Sequence, residues 1–400
     1  MPATLAAATS HTPSVSSVPM LDVSRENNRL RNEIDAAIAE VVRSGAFVHG
    51  PACAKLETAV ASYCGTAHAV GCASGSDALL LPLMALGIGQ GDEVILPSFT
   101  FFATAGTVWR LGARPVFVDI DPVTFNISPG DLIGKITTRT KAIIPVHLFG
   151  QCAAMDEIRQ IAAAARGIPI IEDACQAIGA EFGRKRAGGL GWCGALSFYP
   201  TKNLGGFGDG GMITTNDGEL AAKLRILRDH GQQPRYYHHH VGVNSRLDAL
   251  QAAVLAVKLP HLDQWSAARA KHAERYESEF ARRSLAGQIV TPKVSKRANH
   301  VWNQYTVRVT GGRRDALQKH LSERQIGTAV YYPVPLHLQK CFAPLGYREG
   351  MLPATERAAR EVLSLPVYPE LTAAEQGAVI DAIANFCQAK GHAPSITTAA

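Results

Sequence analysis

Read for hydrophobic and polar positions, residues 1–19 show no period at all; their Ala, Ser, Thr and Pro bias predicts a disordered arm. From "ENNRLRNEIDAAIAEVVRSG" onward apolar positions recur at helical spacing and stop at Gly45, and "KLETAVASYCG" is a second, shorter helix. "HAVGCASGSDALLLPLMALGIG" reads as strand, glycine turn and helix. An alternation follows: "DEVILPS" strand, "TFFATAGTVWRLG" helix, "RPVFVDI" and "KAIIPVHL" strands, "AMDEIRQIAAAARG" helix, "IPIIED" strand. Short, fully apolar strands joined by helices mark an α/β domain with a mainly parallel sheet covered on both faces. "GALSFYP" and "GGMITTN" add two strands, and a long helix from "SRLDALQAAVLAVKLPHLDQW" into "AARAKHAERYESEFARR" is expected to bend or break at Pro260.

The last third changes character, with "HVWNQYTVRVT", "RDALQKHLSERQI", "TAVYYP" and "ERAAREVLSL" suggesting a smaller α+β domain. The expected organisation is an arm over residues 1–19, a large α/β domain over 20–265, a small C-terminal domain over 266–390 and a flexible tail over 391–400. No internal repeat is visible.

Composition narrows the class. Four hundred residues, 46% hydrophobic and 18% charged, describe a globular, enzyme-sized chain. The net charge of +6 is scattered, so no nucleic-acid footprint is expected. No apolar run reaches the ~18 residues a membrane span needs, and the N-terminus lacks the basic and apolar regions of a signal peptide. Eight cysteines without a CxxC pair read as reduced thiols, which together point to the cytoplasm. Three consecutive histidines, 238–240, cannot all face one ion and have no acidic or cysteine neighbours, so no metal is expected.

Candidate chemistry centres on "SFYPTKNLGGFGDGG", residues 197–211. Lys202 there is either an ordinary surface lysine or one that forms a Schiff base where glycines let backbone and cofactor come close. Asp173 ends the buried strand "IPIIED", at the strand end where ligands of open α/β sheets bind. A carboxylate there is costly unless it meets a cation, and a pyridinium nitrogen is such a cation. Asp173 capping the next helix is the ordinary alternative, and the two can coexist. Gln176 lies one helical turn on. In "CASGSDALL", Gly75 and Ser76 open a helix whose free N–H groups suit a phosphate. Ser197 offers a further hydroxyl. Of Phe99, Phe101 and Phe102, at most one need stack on a flat ring.

The ordered set "SGSDAL", "PSFTFFAT", "VFVDID", "IPVHLFGQ", "IEDACQAIGA", "SFYPTKNLG", "RDHGQ", "GVNSRLDALQAA" and "YYPVPLH" resembles the DegT/DnrJ/EryC1/StrS family over residues 20 to 390. The resemblance implies a fold-type-I, aspartate-aminotransferase-like fold and a sugar-nucleotide aminotransferase dependent on pyridoxal 5′-phosphate (PLP), with pyridoxamine 5′-phosphate (PMP) between its half-reactions. It implies Lys202 as the Schiff-base lysine, Asp173 as partner of the pyridine nitrogen, Phe101 as the stacking ring and Gln176 near the cofactor's face or 3-hydroxyl. Gly75, Ser76 and Ser197 match phosphate contacts. Asn244 matches an asparagine given to the phosphate of a neighbouring subunit, hence a homodimer with shared sites. Relatives that dehydrate at C3 carry histidine where this chain has Lys202, so transamination is favoured.

"RDHGQQPRYYHHHVGVNSRLDALQAA" looks closest to the branch that aminates C3 of a 3-keto nucleotide sugar, either UDP-2-acetamido-3-keto-glucuronate or a dTDP-3-keto-6-deoxyhexose, with L-glutamate as donor and 2-oxoglutarate as product. Arg246, His239, Tyr332 and His337 are then expected beside the sugar; an ion pair between subunits is the equal alternative for Arg246, and a plain turn and strand for the last two. The competing readings are a C4 aminotransferase of the perosamine or bacillosamine type, a PLP-binding regulatory protein, and an amino-acid aminotransferase using Arg308, Arg313 or Arg324 as a carboxylate clamp.

Overall fold

A computed structural model describes residues 15–388. In chain order the strands are β1 (His68–Cys72), β2 (Glu93–Pro97), β3 (Arg114–Val118), β4 (Thr140–Ile143), β5 (Ile171–Asp173), β6 (Glu181–Phe182), β7 (Lys185–Arg186), β8 (Cys193–Ser197), β9 (Gly211–Thr215), β10 (Ile289–Val290), β11 (Ala298–Asn299), β12 (Tyr305–Val309) and β13 (Val362–Leu365). β3-β2-β4 and β5-β8-β9-β1 join through bridges from Ile143 to Ile170 and from Val146 to Asp173. The result is one twisted sheet, β3-β2-β4-β5-β8-β9-β1, in which β9 alone runs against its neighbours. The expected mainly parallel mixed sheet is what forms.

Both faces of this sheet are buried, and alternation sorts its side chains. Ile95, Ile143, Val116 and Val118 join a core with the helices Pro51–Cys64, Met155–Ala164 and Ala249–Lys258. Their neighbours Val94, Leu96, Ala142, Ile144 and Phe117 face the opposite core, with Gly75–Ala85, Ala103–Arg110 and Gly218–Leu227. The period of two that makes neighbours point oppositely gives both cores from continuous apolar runs. "KAIIPVHL" is not one strand: pairing beyond Ile143 reduces to single bridges around Pro145, which has no N–H to donate.

β10, β12 and β13 form an antiparallel sheet packed on the helices Leu262–Arg282, Arg314–Ser322 and Ala373–Gln388. Tyr276, Phe280, Leu317, Leu321, Val379 and Ile383 fill that core. The first long helical segment is interrupted at Leu30, giving Val23–Arg29 and Arg31–Ser44, the latter ended by Gly45 at φ 65°. At Pro260 the expected break is a single 3₁₀ turn, Leu259–His261.

The arm differs from expectation at its end. Val18 is 1% exposed, bridges Ile326 and belongs to the C-terminal core, its backbone bonded to Gln325 and Gly327. Residues 1–14 and the tail 391–400 lie outside the described residues. Among the described residues no helix is long and apolar enough to cross a membrane.

Candidate active site

Parallel strands deliver their following loops to one edge of a sheet. The C-terminal ends of β2, β5 and β8 meet the N-terminal end of the helix Gly75–Ala85 there, around a cavity of about 640 Å³. Gly75, Ser76, Phe101, Asp173, Gln176, Ser197, Lys202 and Tyr332 all line it.

At the end of β5, adjacent carboxylates point to opposite faces. Glu172 is wholly buried and accepts N–H donors of Gly188 (2.8 Å), Leu190 (2.7 Å) and Gly191 (2.7 Å), with His147 Nε2 at 2.9 Å. Ala153 N–H donates to His147 Nδ1 at 3.1 Å, so Nε2 carries the proton that goes to Glu172. Glu172 has no capacity left for a ligand. Asp173 does. Its Oδ2 accepts from the Thr104 hydroxyl at 2.7 Å and its Oδ1 from the Cys175 N–H at 3.3 Å, and it forms no ion pair among the described residues. No helix directly follows Asp173, so the capping alternative does not hold; the Cys175 contact is a local Asx turn, and the carboxylate still faces the cavity.

Lys202 stands in the connection from β8 to β9. Its own N–H reaches the Tyr199 carbonyl at 2.8 Å, and Gly206 N–H reaches Phe198 O at 2.8 Å. The ammonium makes no hydrogen bond or ion pair among the described residues. Burial lowers its pKa below the ordinary lysine value, while Cys175 and Asp173 pull the other way. A depressed amine is a better nucleophile near neutrality.

The glycines explain the close quarters. A Cβ on Gly75 would lie 2.6 Å from Ser197 Cβ, and one on Gly211 would lie 2.2 Å from the Ser74 carbonyl oxygen. Neither has a positive φ, so both serve close approach: Gly75 of the Ser197 and Cys175 side chains, Gly211 of the Ser74 backbone. Ser74 caps the helix by accepting the Asp77 N–H at 3.1 Å, leaving the first N–H groups, at Gly75 and Ser76, aimed outward beside the Ser197 hydroxyl. An anion cradle, a free amine and a buried carboxylate in one cavity fit the phosphate, aldehyde and ring nitrogen of PLP.

Of the three phenylalanines only Phe101 lines the cavity; Phe99 is buried on Phe125 and Phe149, and Phe102 stacks on Phe342 at 5.6 Å. Gln176 is fixed at both ends, its Oε1 accepting from Phe149 N–H (2.8 Å) and its Nε2 donating to the Tyr332 hydroxyl (3.1 Å). Burial pushes that phenol above its ordinary value.

Other expected positions lie elsewhere. His337 is a correction: its side chain is buried between Ser98 Oγ (2.7 Å) and Glu356 Oε1 (3.3 Å), so it ties the loop after β2 to the helix Pro353–Glu361 and does not line the cavity. Arg246 pairs with Asp229 of its own chain at 2.9 Å, an ion pair within the chain where one between subunits was the alternative weighed. Asn244 and His239 are exposed and do not line the cavity. Arg308, Arg313 and Arg324 are engaged by Glu361, by Gln288 with the Phe386 carbonyl, and by His320, so none is a carboxylate clamp here.

Several residues in the cavity or behind it escaped the sequence reading. Thr104 sits one turn beyond the aromatic mouth, a spacing that could have suggested a hydroxyl beside Asp173. Gln304 and Tyr331 come from distant chain and left no local signal; the buried Gln304 Oε1 has no partner among the described residues. Among those residues no group of three or more His, Cys, Asp or Glu is arranged to hold a metal.

Known proteins bear on this site. A "pleiotropic regulatory protein" of Geobacillus stearothermophilus is 53% identical over 92% of this chain and 98% of its own. The UDP-2-acetamido-2-deoxy-3-oxo-D-glucuronate aminotransferase of Pseudomonas aeruginosa is 44% identical over 92% of this chain and 100% of its own. The crystal structure of DesV from S. venezuelae, in complex with a ketimine intermediate, superposes with a TM-score of 0.90 at 45% identity, covering 94% of this chain and 99% of that one. The profile of the DegT/DnrJ/EryC1/StrS aminotransferase family matches residues 28–384, and with a site of this geometry inside that span the chain belongs to that family.

Proposed function

We propose that the protein is a PLP-dependent aminotransferase that moves the amino group of L-glutamate to the C3 ketone of a nucleotide-linked 3-keto sugar, of the UDP-2-acetamido-3-keto-glucuronate or dTDP-3-keto-6-deoxyhexose kind. The observation that carries the chemistry is the unpartnered Lys202 amine in one cavity with Asp173 and the Gly75–Ala85 helix start. The sugar follows from the likeness to the Pseudomonas 3-oxo-glucuronate enzyme.

Lys202 would hold the aldehyde carbon, Asp173 the ring nitrogen, Phe101 a ring face, and Gly75, Ser76 and Ser197 the phosphate, with Gln176 at the ring's edge. When bound, PLP supplies an electron sink for the pair left on the donor's α-carbon. Asp173, aimed by Thr104, keeps a negative charge where the ring nitrogen needs its proton. Lys202 Nζ takes the α-proton from the donor and, in the second half-reaction, delivers a proton to the sugar carbon that becomes C–N. Tyr332, held by Gln176, and Tyr331 wall the cavity and limit water beside the reacting carbons.

The active form is a homodimer in this reading. Asn244, Arg246 and His239 lie outside their own cavity on a segment that exposes Tyr236 (74%), Tyr237 (65%) and Val241 (91%), which supports their serving the partner's site. The domain division near residue 265 and a cytoplasmic location belong to the same proposal.

The test is the visible spectrum of PLP-loaded enzyme on addition of L-glutamate and then of the UDP 3-keto-glucuronate, with product analysis. Bleaching by glutamate, recovery with the sugar and an amine at C3 support the assignment. An amine at C4 on another keto sugar moves it to the perosamine or bacillosamine type. The Geobacillus relative's name favours a second, regulatory reading; DNA retention at physiological salt without any turnover would decide for it.

A further inference from the structure

Lys258 ends the helix Ala249–Lys258 and is 2% exposed. A buried ammonium is tolerated when its donors are matched, and here three acceptors meet it: Gly205 O at 2.7 Å, Glu26 Oε1 at 2.7 Å and Asn27 Oδ1 at 3.1 Å. Two of these belong to the helix Val23–Arg29 and the third to the turn that carries Lys202. Trp265 and Phe207 flank the ammonium at 5.9 and 6.0 Å.

The same helix grips that turn a second time, since Gln251 Oε1 accepts the Phe207 N–H at 2.7 Å. The turn cannot yield easily elsewhere: a Cβ on Gly205 would fall 2.3 Å from the Pro200 carbonyl oxygen, and Asn203 Nδ2 donates to Val301 O at 2.8 Å. The helix Val23–Arg29 is itself tied to the C-terminal unit, Arg25 to Glu375 at 2.6 Å and Arg29 to Glu370 at 3.5 Å. Lys258 therefore joins the N-terminal helix, and through it the C-terminal unit, to the backbone three residues from Lys202.

We propose that Lys258 is a positioning residue: by holding the Gly205 carbonyl against Glu26 and Asn27 it fixes where the Lys202 amine stands in the cavity. This rests on the reading of Lys202 as the PLP-linking lysine. A displacement of about 1 Å in a reacting group costs on the order of a hundred-fold, so the anchor matters although it touches no ligand.

The experiment compares full-length wild type, Lys258→Met, and Lys258→Met with Glu26→Gln. Each is freed of cofactor and mixed with PLP. The rate of borohydride-fixed adduct at Lys202 is followed by peptide mass spectrometry, together with the pH midpoint of the visible band and thermal stability. Lys258→Met alone leaves Glu26 without its partner and is expected to lose stability; the neutral pair regains it, because no charge is left buried alone. In both variants adduct formation is expected to slow on the order of ten-fold or more, with a displaced pH midpoint. If the single variant does not fold, the neutral pair carries the comparison. Wild-type rate and midpoint in the neutral pair would overturn the proposal and leave Lys258 a purely structural ion pair. Absence of a Lys202 adduct in the wild type would instead overturn the cofactor reading, and the proposal with it.

Discussion

Arg25 reaches from the helix Val23–Arg29 to both oxygens of Glu375, at 2.6 and 3.0 Å, while the Thr372 N–H and hydroxyl donate to Glu375 Oε2 at 2.8 and 2.9 Å. These contacts, the Arg25 hydrogen bond foremost, hold the Glu375 pKa at about 2 against an ordinary 4.5. The carboxylate is 9% exposed, so solvent screening is limited. That depression corresponds to roughly 3 kcal/mol at pH 7. Because the folded pKa lies below the unfolded one, that contribution is complete above about pH 4.5 and is lost as pH falls toward 2. At pH 3.5 the unfolded chain is largely protonated at this position and about 2 kcal/mol remains. Unfolding entropy of roughly 2.1 cal/mol/K per residue over 400 residues makes 1 kcal/mol worth about 1.2 °C. Glu375→Gln should therefore lower Tm by about 4 °C at pH 7 and by only about 2.4 °C at pH 3.5. Scanning calorimetry of both proteins across that range is the assay. A gap that stays constant or widens on acidification would refute the reasoning.

Thr104→Val keeps the volume but removes the donor to Asp173 at 2.7 Å; a hydrogen bond to a charged group is worth ~1.5–3 kcal/mol, so PLP should bind roughly ten-fold more weakly by equilibrium titration, and unchanged affinity would deny Thr104 its aiming role. Gly75→Ala places a Cβ 2.6 Å from Ser197 Cβ; overpacking of this kind costs ~1–3 kcal/mol, and loss of PLP affinity should exceed that of Gly87→Ala, whose Cβ meets nothing within 4 Å but whose φ is +68°. Lys202→Ala should abolish the covalent cofactor link and turnover, with retained transamination contradicting the assignment. In cofactor-free protein Lys202 should react with an amine-directed reagent with a pH midpoint below the ordinary lysine value of 10.5, because burial disfavours its charged form; a midpoint at or above that value would contradict the buried setting.

Local pattern carried much of this molecule. Strands such as Glu93–Pro97 and Ile171–Asp173 were legible because burial on both faces demands unbroken apolar runs. Lys202, Asp173, Gly75, Ser76 and Ser197 were legible because each follows or ends such a strand, at the edge where an α/β sheet gathers its loops. What the chain order left open was contact between distant segments. Sequence could not distinguish an exposed His337 from one clamped between Ser98 and Glu356, nor tell that Thr104 rather than a charged group aims Asp173. It could not place Val18 in the C-terminal core, or bring Glu26 within 2.7 Å of Lys258, a residue 232 positions away. Hydrophobic period and turn chemistry act over a few residues and are written along the chain. Which polar groups pair inside is decided when the sheet and the C-terminal unit close on one another, since only then does burial make every unmatched donor and acceptor costly.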